Sequence, residues 1–174
     1  MVQLDGLGLA VFNSLPPDEA ESTLMACCSS HRWAWLVAEG RPYSTVDVLY
    51  EAADTALDDL AERDVDEALA GHPRIGERPG AGHSAWSNQE QAGVARAAHE
   101  VHAALADANR AYEQRFGHVY LVCATGKGAE ELLAVLLDRL TNEPATERRV
   151  VRTELGKINR IRLERMLAEG SRRR

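Results

Sequence analysis

Apolar residues recur at three- and four-residue steps along most of this chain, a spacing typical of amphipathic α-helices. The clearest stripes lie in residues 46–60, 94–112 and 151–166. The pattern predicts an all-α fold, a compact bundle of about eight helices. No internal repeat or linker divides it, so we expect a single domain over residues 1–174, with a short basic tail at 171–174.

The helix boundaries follow from prolines, glycines and capping residues. The stretch around Val119 and Val122 favours a strand by propensity, but no second strand could pair with it, so we predict extended buried chain there. The predicted helices and segments are Leu4–Leu15, Pro17–Cys28, His31–Ala38, a helix capped by Ser44 or Thr45 and reaching Leu60, a short segment Val65–Ala70, Ser87–Arg115, Ala129–Leu140, and a last helix that opens at Glu143–Thr146 and runs to Leu167.

The residues Gly71–Gln91, GHPRIGERPGAGHSAWSNQEQ, form the only long stretch without helical periodicity. Its prolines and glycines prevent a helix through its middle, because proline lacks an N–H donor and glycine favours other conformations. The stretch concentrates His, Arg, Glu, Ser and Gln side chains. Loops held by a rigid scaffold often carry functional residues, so this loop is the first candidate for chemistry.

Charge and cysteine content narrow the class of protein. The 174 residues carry a formal net charge of -7, which argues against a nucleic-acid-binding body. The chain has no long apolar run for a membrane span and no basic signal-peptide start. Its three cysteines, Cys27, Cys28 and Cys123, match neither a disulfide framework nor zinc-ligand spacing. We therefore expect a cytoplasmic protein without a nucleic-acid or membrane partner.

Ser87 and Glu90 form the pattern S-x-x-E before a helix, which has two interpretations. In a capping box, Ser87 accepts a backbone hydrogen bond and Glu90 folds back onto the Ser87 amide. Alternatively, the free N–H groups of the helix N-terminus bind a small anionic ligand beside Gln91. Ser87 can serve both interpretations. Glu90 cannot cap and contact a ligand at once, and we expect it to turn into a pocket.

His72 stands between Gly71 and Pro73, which pushes its backbone out of the helical region. Histidine titrates near neutral pH and is the commonest general acid or base. A structural, hydrogen-bonded loop histidine is the competing interpretation. His83 lies in the same loop between flexible glycines and is the weaker candidate.

Arg162 falls on the apolar stripe of the last helix, with Val151, Leu155, Ile158 and Met166. A buried guanidinium must be paired, either with an internal carboxylate or with an anionic group of a substrate. From the sequence alone, the simpler interpretation is that the head group of Arg162 reaches the edge of the stripe and meets solvent.

Two further motifs match known metal- and phosphate-binding patterns only in part, although the free amides of the second could still contact a ligand. The run His99-Glu100-Val101-His102 has histidines three apart, whereas the zinc motif H-E-x-x-H needs four, so a solvated helix face explains it better. The run Thr125–Gly128, TGKG, lacks the glycine spacing and the Ser or Thr of a phosphate-binding loop. It predicts a turn into the next helix.

Taken together, six segments resemble one known family in the same order: LPPDEAESTLMACCSSHRWAW, GRPYS, GHPRIGE, SNQEQ, RFGHVYLVCATGK and INRIRLERM. They are similar to the decarboxylases of 2-oxo-4-hydroxy-4-carboxy-5-ureidoimidazoline (OHCU), an intermediate of urate breakdown. The resemblance covers nearly the whole chain. It implies an all-α fold, usually a homodimer, and loss of CO2 from OHCU to give (S)-allantoin. It implies no cofactor, no metal, and OHCU as the small-molecule partner.

The resemblance also implies site residues by position. The catalytic histidine and glutamate of the family fall on His72 and Glu90. The chain departs from many members at His118, where they carry an aromatic or apolar residue. The implied substrate-binding residues are Arg162, Pro73, Ser87 and Gln91, together with the backbone of Leu121, Val122, Cys123, Ala124 and Thr125.

Two alternatives belong to different classes of function. One is a hydrolase or cyclase that acts on a related ureide or hydantoin. The other is a non-catalytic helical interaction module, in which His72 and Glu90 are only structural. Enzyme activity on OHCU separates both from a decarboxylase.

Overall fold

The computed structural model describes the backbone of residues 5–75 and 99–170, and the side chains of 8–75 and 101–168. All regular structure in these ranges is helical, which confirms the predicted all-α class. No helix in the described part of the chain is long and apolar enough to cross a membrane. The helices are α1 (Asp5–Ser14), α2 (Pro17–Met25), α3 (His31–Glu39), α4 (Val46–Asp58), α5 (Glu62–Ala70), α6 (His99–Phe116), α7 (Ala129–Arg139) and α8 (Pro144–Gly170).

The described residues group into two compact units. The first combines Met1–Ala68 with Gly156–Arg174, and the second is Leu69–Leu155. Helix α8 contributes its first part to the second unit and its later part to the first. The expected single domain stays a prediction.

In the first unit, α3 packs against both α2 and α4, and α1 contacts α4. Trp33 of α3 is fully buried and its indole Nε1 donates to the Ala53 carbonyl of α4 at 2.9 Å. Such a bond satisfies the one polar atom of a large core side chain. Gly8 of α1 lies so close to α8 that an added Cβ would stand 2.1 Å from the Leu167 carbonyl oxygen. Only glycine fits this contact.

In the second unit, α6 packs against α7 over one hydrophobic cluster. Aromatic rings at the centre of the cluster contact edge to face, with the centroids of Tyr112 and Tyr120 5.3 Å apart. The cluster contains Ile75, Leu105, Ala108, Tyr112, Tyr120, Val122, Ala124, Ala129, Leu132 and Leu136.

A buried ion pair joins α7 to α8 beside this cluster. Arg139 is 4% exposed and Glu147 is fully buried, and the Arg139 Nη2 donates to Glu147 Oε1 at 2.6 Å. The Tyr112 hydroxyl donates to the same carboxylate oxygen, and the Asn142 amide donates to the other at 2.7 Å. Burial, followed by the hydrogen bond to Glu147, raises the pKa of Tyr112. Each buried charge and polar atom here thus has a partner, as burial requires.

A capping residue fixes the start of α4 where the sequence predicts it. Of the two candidates for capping α4, it is Thr45 that accepts from the Val48 N–H, at 3.2 Å. The residues around Val119–Val122 form no strand, as predicted. Helix α7 also begins and ends within one residue of its predicted limits.

Several predicted boundaries are wrong. Helix α4 ends at Asp58 and not at Leu60, and α8 ends at Gly170 and not at Leu167. Two others have a clear physical reason. Helix α2 ends at Met25 and not at Cys28, because the N–H groups of Cys27 and Cys28 both donate to the Leu24 carbonyl in a tightened turn. Helix α5 begins at Glu62, before the expected Val65. Its acidic first turn complements the positive end of the helix dipole, a signal that the apolar pattern alone does not contain.

Candidate active site

His72 lies just beyond the end of α5, in a segment without regular structure. Its N–H donates to the Leu69 carbonyl at 3.0 Å, which closes the last turn of the helix. The side chain is only 7% exposed. Pro73, half-buried, follows and fixes its own φ angle. The histidine therefore leaves the helix in a defined direction and is largely shielded from solvent.

Two side chains of α6 bind the residues that follow Pro73. The amide of Asn109 donates through Nδ2 to the Ile75 carbonyl at 2.8 Å. The guanidinium of Arg74 donates to both carboxylate oxygens of Glu113, at 2.5 and 2.9 Å. The Ile75 side chain itself is buried in the cluster of the second unit. The segment from His72 to Ile75 is thus held although it is not helical.

The segment Leu121–Thr125 has no regular structure up to Ala124 and enters a turn at Thr125, and charged side chains hold it through its backbone. Arg139 Nη1 donates to the Leu121 carbonyl at 2.7 Å. The Cys123 N–H donates to Glu154 Oε2 at 2.8 Å. Charge-assisted hydrogen bonds of this kind are stronger than neutral ones.

The predicted turn after this segment is confirmed. The Lys127 N–H donates to the Ala124 carbonyl at 3.0 Å, and Gly126 adopts a φ of 78°, which favours glycine. Gly128 then forms the N-cap of α7. The TGKG run is therefore the turn that ends the segment Leu121–Thr125.

The segment that follows His72 and the segment Leu121–Thr125 both contribute side chains to the hydrophobic cluster of the second unit. Ile75, Val122 and Ala124 all belong to it. The structure describes three parts of the expected site: the segment at His72, the segment Leu121–Thr125, and Arg162. The first two belong to the second unit.

Arg162 belongs to the first unit and is 3% exposed. The interpretation that its head group reaches solvent is therefore wrong. The guanidinium instead points into the protein, where Nη1 donates to the Cys27 carbonyl at 3.1 Å. A backbone carbonyl is a partner that sequence spacing cannot reveal, because it comes from a residue far away along the chain.

The thiol of Cys28 is buried in the same part of the first unit. Burial raises its pKa from 9.0 to about 11, even though the Ser30 backbone, the Asn159 side chain and the charge of Arg162 all lower it. The thiol therefore stays protonated, and unreactive as a nucleophile, near neutral pH.

Three expected site residues, Ser87, Glu90 and Gln91, lie outside the described residues, as does His83. The same holds for the side chains of His99 and Glu100 in the discarded zinc-like motif. Over the side chains that the structure describes, no group of three or more His, Cys, Asp and Glu residues is arranged to hold a metal ion.

Sequence reasoning missed four residues that hold the candidate site: Asn109, Glu113, Arg139 and Glu154. One signal was present for Asn109, since it stands next to Ala108 and between Leu105 and Tyr112 on the buried face of α6. A polar residue on an apolar stripe needs an internal partner. The pairing of Arg139 and Glu154 with backbone atoms of residues 121 and 123 had no such signal.

Comparisons with known proteins give a consistent result. The sequence model of the OHCU decarboxylase family matches residues 13–164. The chain is 30% identical over 132 residues to the 2-oxo-4-hydroxy-4-carboxy-5-ureidoimidazoline decarboxylase of Amia calva, covering 74% of this chain and 75% of that one. The chain is also 26% identical to the Arabidopsis thaliana uric acid degradation bifunctional protein TTL, in a match that covers 86% of this chain. It spans about half, 48%, of that longer protein.

Solved structures agree with the sequence matches. The crystal structure of an OHCU decarboxylase in the presence of (S)-allantoin superimposes with a TM-score of 0.73 at 27% identity. The match covers 83% of this chain and 96% of that one. An (S)-allantoin synthase structure at 18% identity and a TM-score of 0.71 shares the fold.

Proposed function

This chain belongs to the OHCU decarboxylase family, and on that basis we propose that it removes CO2 from OHCU to form (S)-allantoin in urate degradation. The observation that carries the proposal is the family match over residues 13–164. The similarity to a decarboxylase structure obtained with (S)-allantoin supports it. A decarboxylase of OHCU is a carboxy-lyase.

The chemistry of OHCU explains why a protein without a cofactor can catalyse this step. When the bond between the ring carbon and the carboxyl carbon breaks, CO2 leaves and the electron pair moves into the adjacent imine, whose nitrogen takes up a proton. The ring hydroxyl loses its proton and becomes a carbonyl, and one proton is delivered to ring carbon. The substrate is its own electron sink, so the protein has to supply position, proton transfer and stabilisation of charge.

We assign His72 and Glu90 to the proton transfers: one takes the hydroxyl proton and one delivers a proton to carbon. Delivery from one face sets the configuration of allantoin. Arg162 binds an anionic or polar group of the substrate through its guanidinium. The residues Pro73, Ser87 and Gln91, and the backbone of Leu121–Thr125, contact the substrate.

The surroundings of His72 and Arg162 support these roles. His72 is 7% exposed, and a histidine shielded from water transfers protons with less loss to solvent. Arg162 is 3% exposed and donates to a neutral carbonyl at 3.1 Å, so its positive charge lies inside the protein. Such a charge attracts an anion strongly, because screening by water is weak there.

The test is a kinetic assay with freshly generated OHCU, in which chiral allantoin is followed by circular dichroism. We expect the enzyme to produce optically active (S)-allantoin faster than the spontaneous decay, which gives racemic product. Equal rates with and without protein would refute the proposal. Optically active product from a ureide or hydantoin, but not from OHCU, would indicate a hydrolase or cyclase.

The role of His72 makes a first prediction. In His72→Asn the catalytic rate falls by about 100-fold or more, because the proton-transfer group is lost. The substituted amide fits the space of the ring, so circular dichroism should show unchanged helix content. His31→Asn, at an exposed histidine, serves as the control and keeps the wild-type rate. A folded His72→Asn protein with the wild-type rate would rule out the catalytic role.

We also propose that the protein works as a cytoplasmic homodimer with OHCU as its small-molecule partner. Family resemblance supports the dimer, and three cysteines that form no disulfide suit a reducing compartment. The net charge of -7 disfavours a nucleic-acid partner. Sedimentation equilibrium should give twice the mass of one chain, and a monomer at assay concentration would contradict the dimer.

A further inference from the structure

We propose that Asn109 and Glu113, on one turn of α6, are positioning residues for His72. They hold the two residues that follow Pro73 and so set where the histidine side chain lies. This inference rests on the proposed catalytic role of His72, and it assigns to α6 a part in catalysis that contacts no substrate.

The segment needs such support because it lacks the repeated backbone hydrogen bonds of a helix. His72 donates its N–H to Leu69, but Pro73 has no N–H to donate. A chain of this kind keeps one conformation only if side chains from another element bind it. Helix α6 supplies those side chains.

The first anchor is the amide of Asn109, which donates to the Ile75 carbonyl at 2.8 Å. Asn109 is 2% exposed and Ile75 is 7% exposed, so the bond lies away from water. A buried carbonyl without a donor is energetically costly. The segment is therefore strongly favoured in the one register that keeps this bond.

The second anchor is the ion pair of Arg74 with Glu113. Both ends are partly exposed, with side-chain exposures of 45% and 24%, so the attraction of the charges contributes little stability. The ion pair instead fixes the orientation of the Arg74 side chain, because two parallel N–H···O bonds at 2.5 and 2.9 Å hold the plane of the guanidinium. Asn109 and Glu113 are four residues apart, so they project from the same face of α6.

The two anchors act on residues two and three positions after His72. With the carbonyl of Ile75 and the side chain of Arg74 both held, and the φ of Pro73 fixed by its ring, little backbone freedom remains at His72. An error of about 1 Å in the position of a catalytic group can lower a rate 100-fold. Loss of an anchor should therefore reduce turnover more than substrate binding.

The decisive variant is Asn109→Leu, which removes the amide donor and keeps a similar volume. We expect kcat to fall about 10- to 100-fold while KM changes less than about twofold. The imidazole signals of His72, assigned by their loss in His72→Asn, should shift in spectra of protein labelled with ¹⁵N-histidine. A purely structural role for Asn109 would lower the melting temperature without moving these signals.

The ion pair is tested by exchange of its charges. Glu113→Arg alone should lower kcat about three- to tenfold, because His72 is then misplaced. Adding Arg74→Glu should restore kcat to within about twofold of the wild-type value. Asp107 and Arg110 form an exposed pair on the same helix and provide the control. Arg110→Ala should leave kcat and the His72 signals unchanged.

Each outcome decides for or against the inference. Unchanged kcat and unchanged His72 signals in folded Asn109→Leu overturn it, and so does failure of the exchanged pair to restore Glu113→Arg. If Asn109→Leu does not fold, the exchanged pair decides alone. If the wild-type protein does not turn over OHCU, the proposed function fails separately. The His72 signals of the same variants then decide whether α6 positions the histidine.

Discussion

Arg162 combines a full positive charge with a position inside the protein. Its guanidinium has five donors, and one of them is given to the Cys27 carbonyl at 3.1 Å. A planar guanidinium binds a carboxylate through parallel N–H donors, whereas a lysine ammonium is a single point charge. The residue is therefore suited to serve structure and substrate at once.

Arg162→Lys should raise KM for OHCU about tenfold, because the bidentate geometry is lost while the charge remains. The melting temperature should change by only a few degrees. Steady-state kinetics and thermal unfolding measure both effects. Arg160→Lys, at a guanidinium that lies 3.7 Å from the Tyr50 ring centroid, is the control and should leave KM unchanged. Strong destabilisation of Arg162→Lys with an unchanged KM would indicate a purely structural arginine.

The apolar stripe of α8 predicted which way Arg162 faces, and that direction is confirmed by its burial. The solvent exposure of the Arg162 head group was predicted wrongly. Helical spacing shows on which face of the helix a residue lies, but not how much protein packs over that face. Depth depends on what packs over the helix, in this case the chain near Cys27. The same limit explains why Asn109 was overlooked, since the carbonyl that it binds lies 34 residues away.

At the level of elements, α7 and α8 meet through the buried pair of Arg139 and Glu147. Although burial alone would lower the pKa of Arg139, the hydrogen bonds and charge of Glu147 raise it. The pair also reaches the segment Leu121–Thr125, because Arg139 donates to the Leu121 carbonyl. One ion pair therefore joins two helices and a stretch of the candidate site.

Arg139→Met should lower the free energy of unfolding by about 3–5 kcal/mol, because it leaves the Glu147 carboxylate buried without its cation. The double variant Arg139→Met with Glu147→Leu should recover much of this loss, since it leaves no buried charge. Urea denaturation at neutral pH measures both values. Lys127→Met, in the exposed pair with Glu131, should change the free energy by no more than about 0.5 kcal/mol. Equal losses in the single and double variants would contradict this account.

Helices were predictable from the sequence because their apolar period and caps are local signals. The predicted cap of α4 at Ser44 or Thr45 needed only neighbouring residues, and the structure selects Thr45. The ion pair of Arg139 with Glu147 was not predictable, because it depends on how α7 and α8 pack. Of the candidate site, the reactive residues named from the sequence stay predictions, and the sequence missed Asn109, Glu113, Arg139 and Glu154, which hold the described segments in place.

The whole molecule should lose stability at alkaline pH. Burial raises the pKa of Cys28 to about 11, and burial likewise raises the pKa of Tyr43, Tyr112 and Tyr120. These groups are protonated in the folded state at a pH where the unfolded chain has already released its protons. Their contribution to stability is therefore complete below pH 9 and is lost as the pH rises through the folded values.

For Cys28 alone, the free energy of unfolding should fall by on the order of 2 kcal/mol by pH 11, because folding shifts the pKa of the thiol from 9.0 to about 11. Urea denaturation at pH 8 and at pH 10.5, in the wild type and in Cys28→Ala, measures it. The free energy of unfolding should decrease less between the two pH values in Cys28→Ala than in the wild type, because alanine does not ionise. An identical decrease in both proteins would contradict the assignment to Cys28.

The first unit has a consequence for synthesis on the ribosome. It combines Met1–Ala68 with Gly156–Arg174, and the whole of Leu69–Leu155 is translated between these two parts. The helices α1 to α4 therefore emerge long before the residues of α8 that complete their unit, among them Leu167, which Gly8 contacts. During that interval the apolar surface that α8 later covers stays exposed, and exposed apolar surface on a nascent chain favours aggregation unless a chaperone binds it.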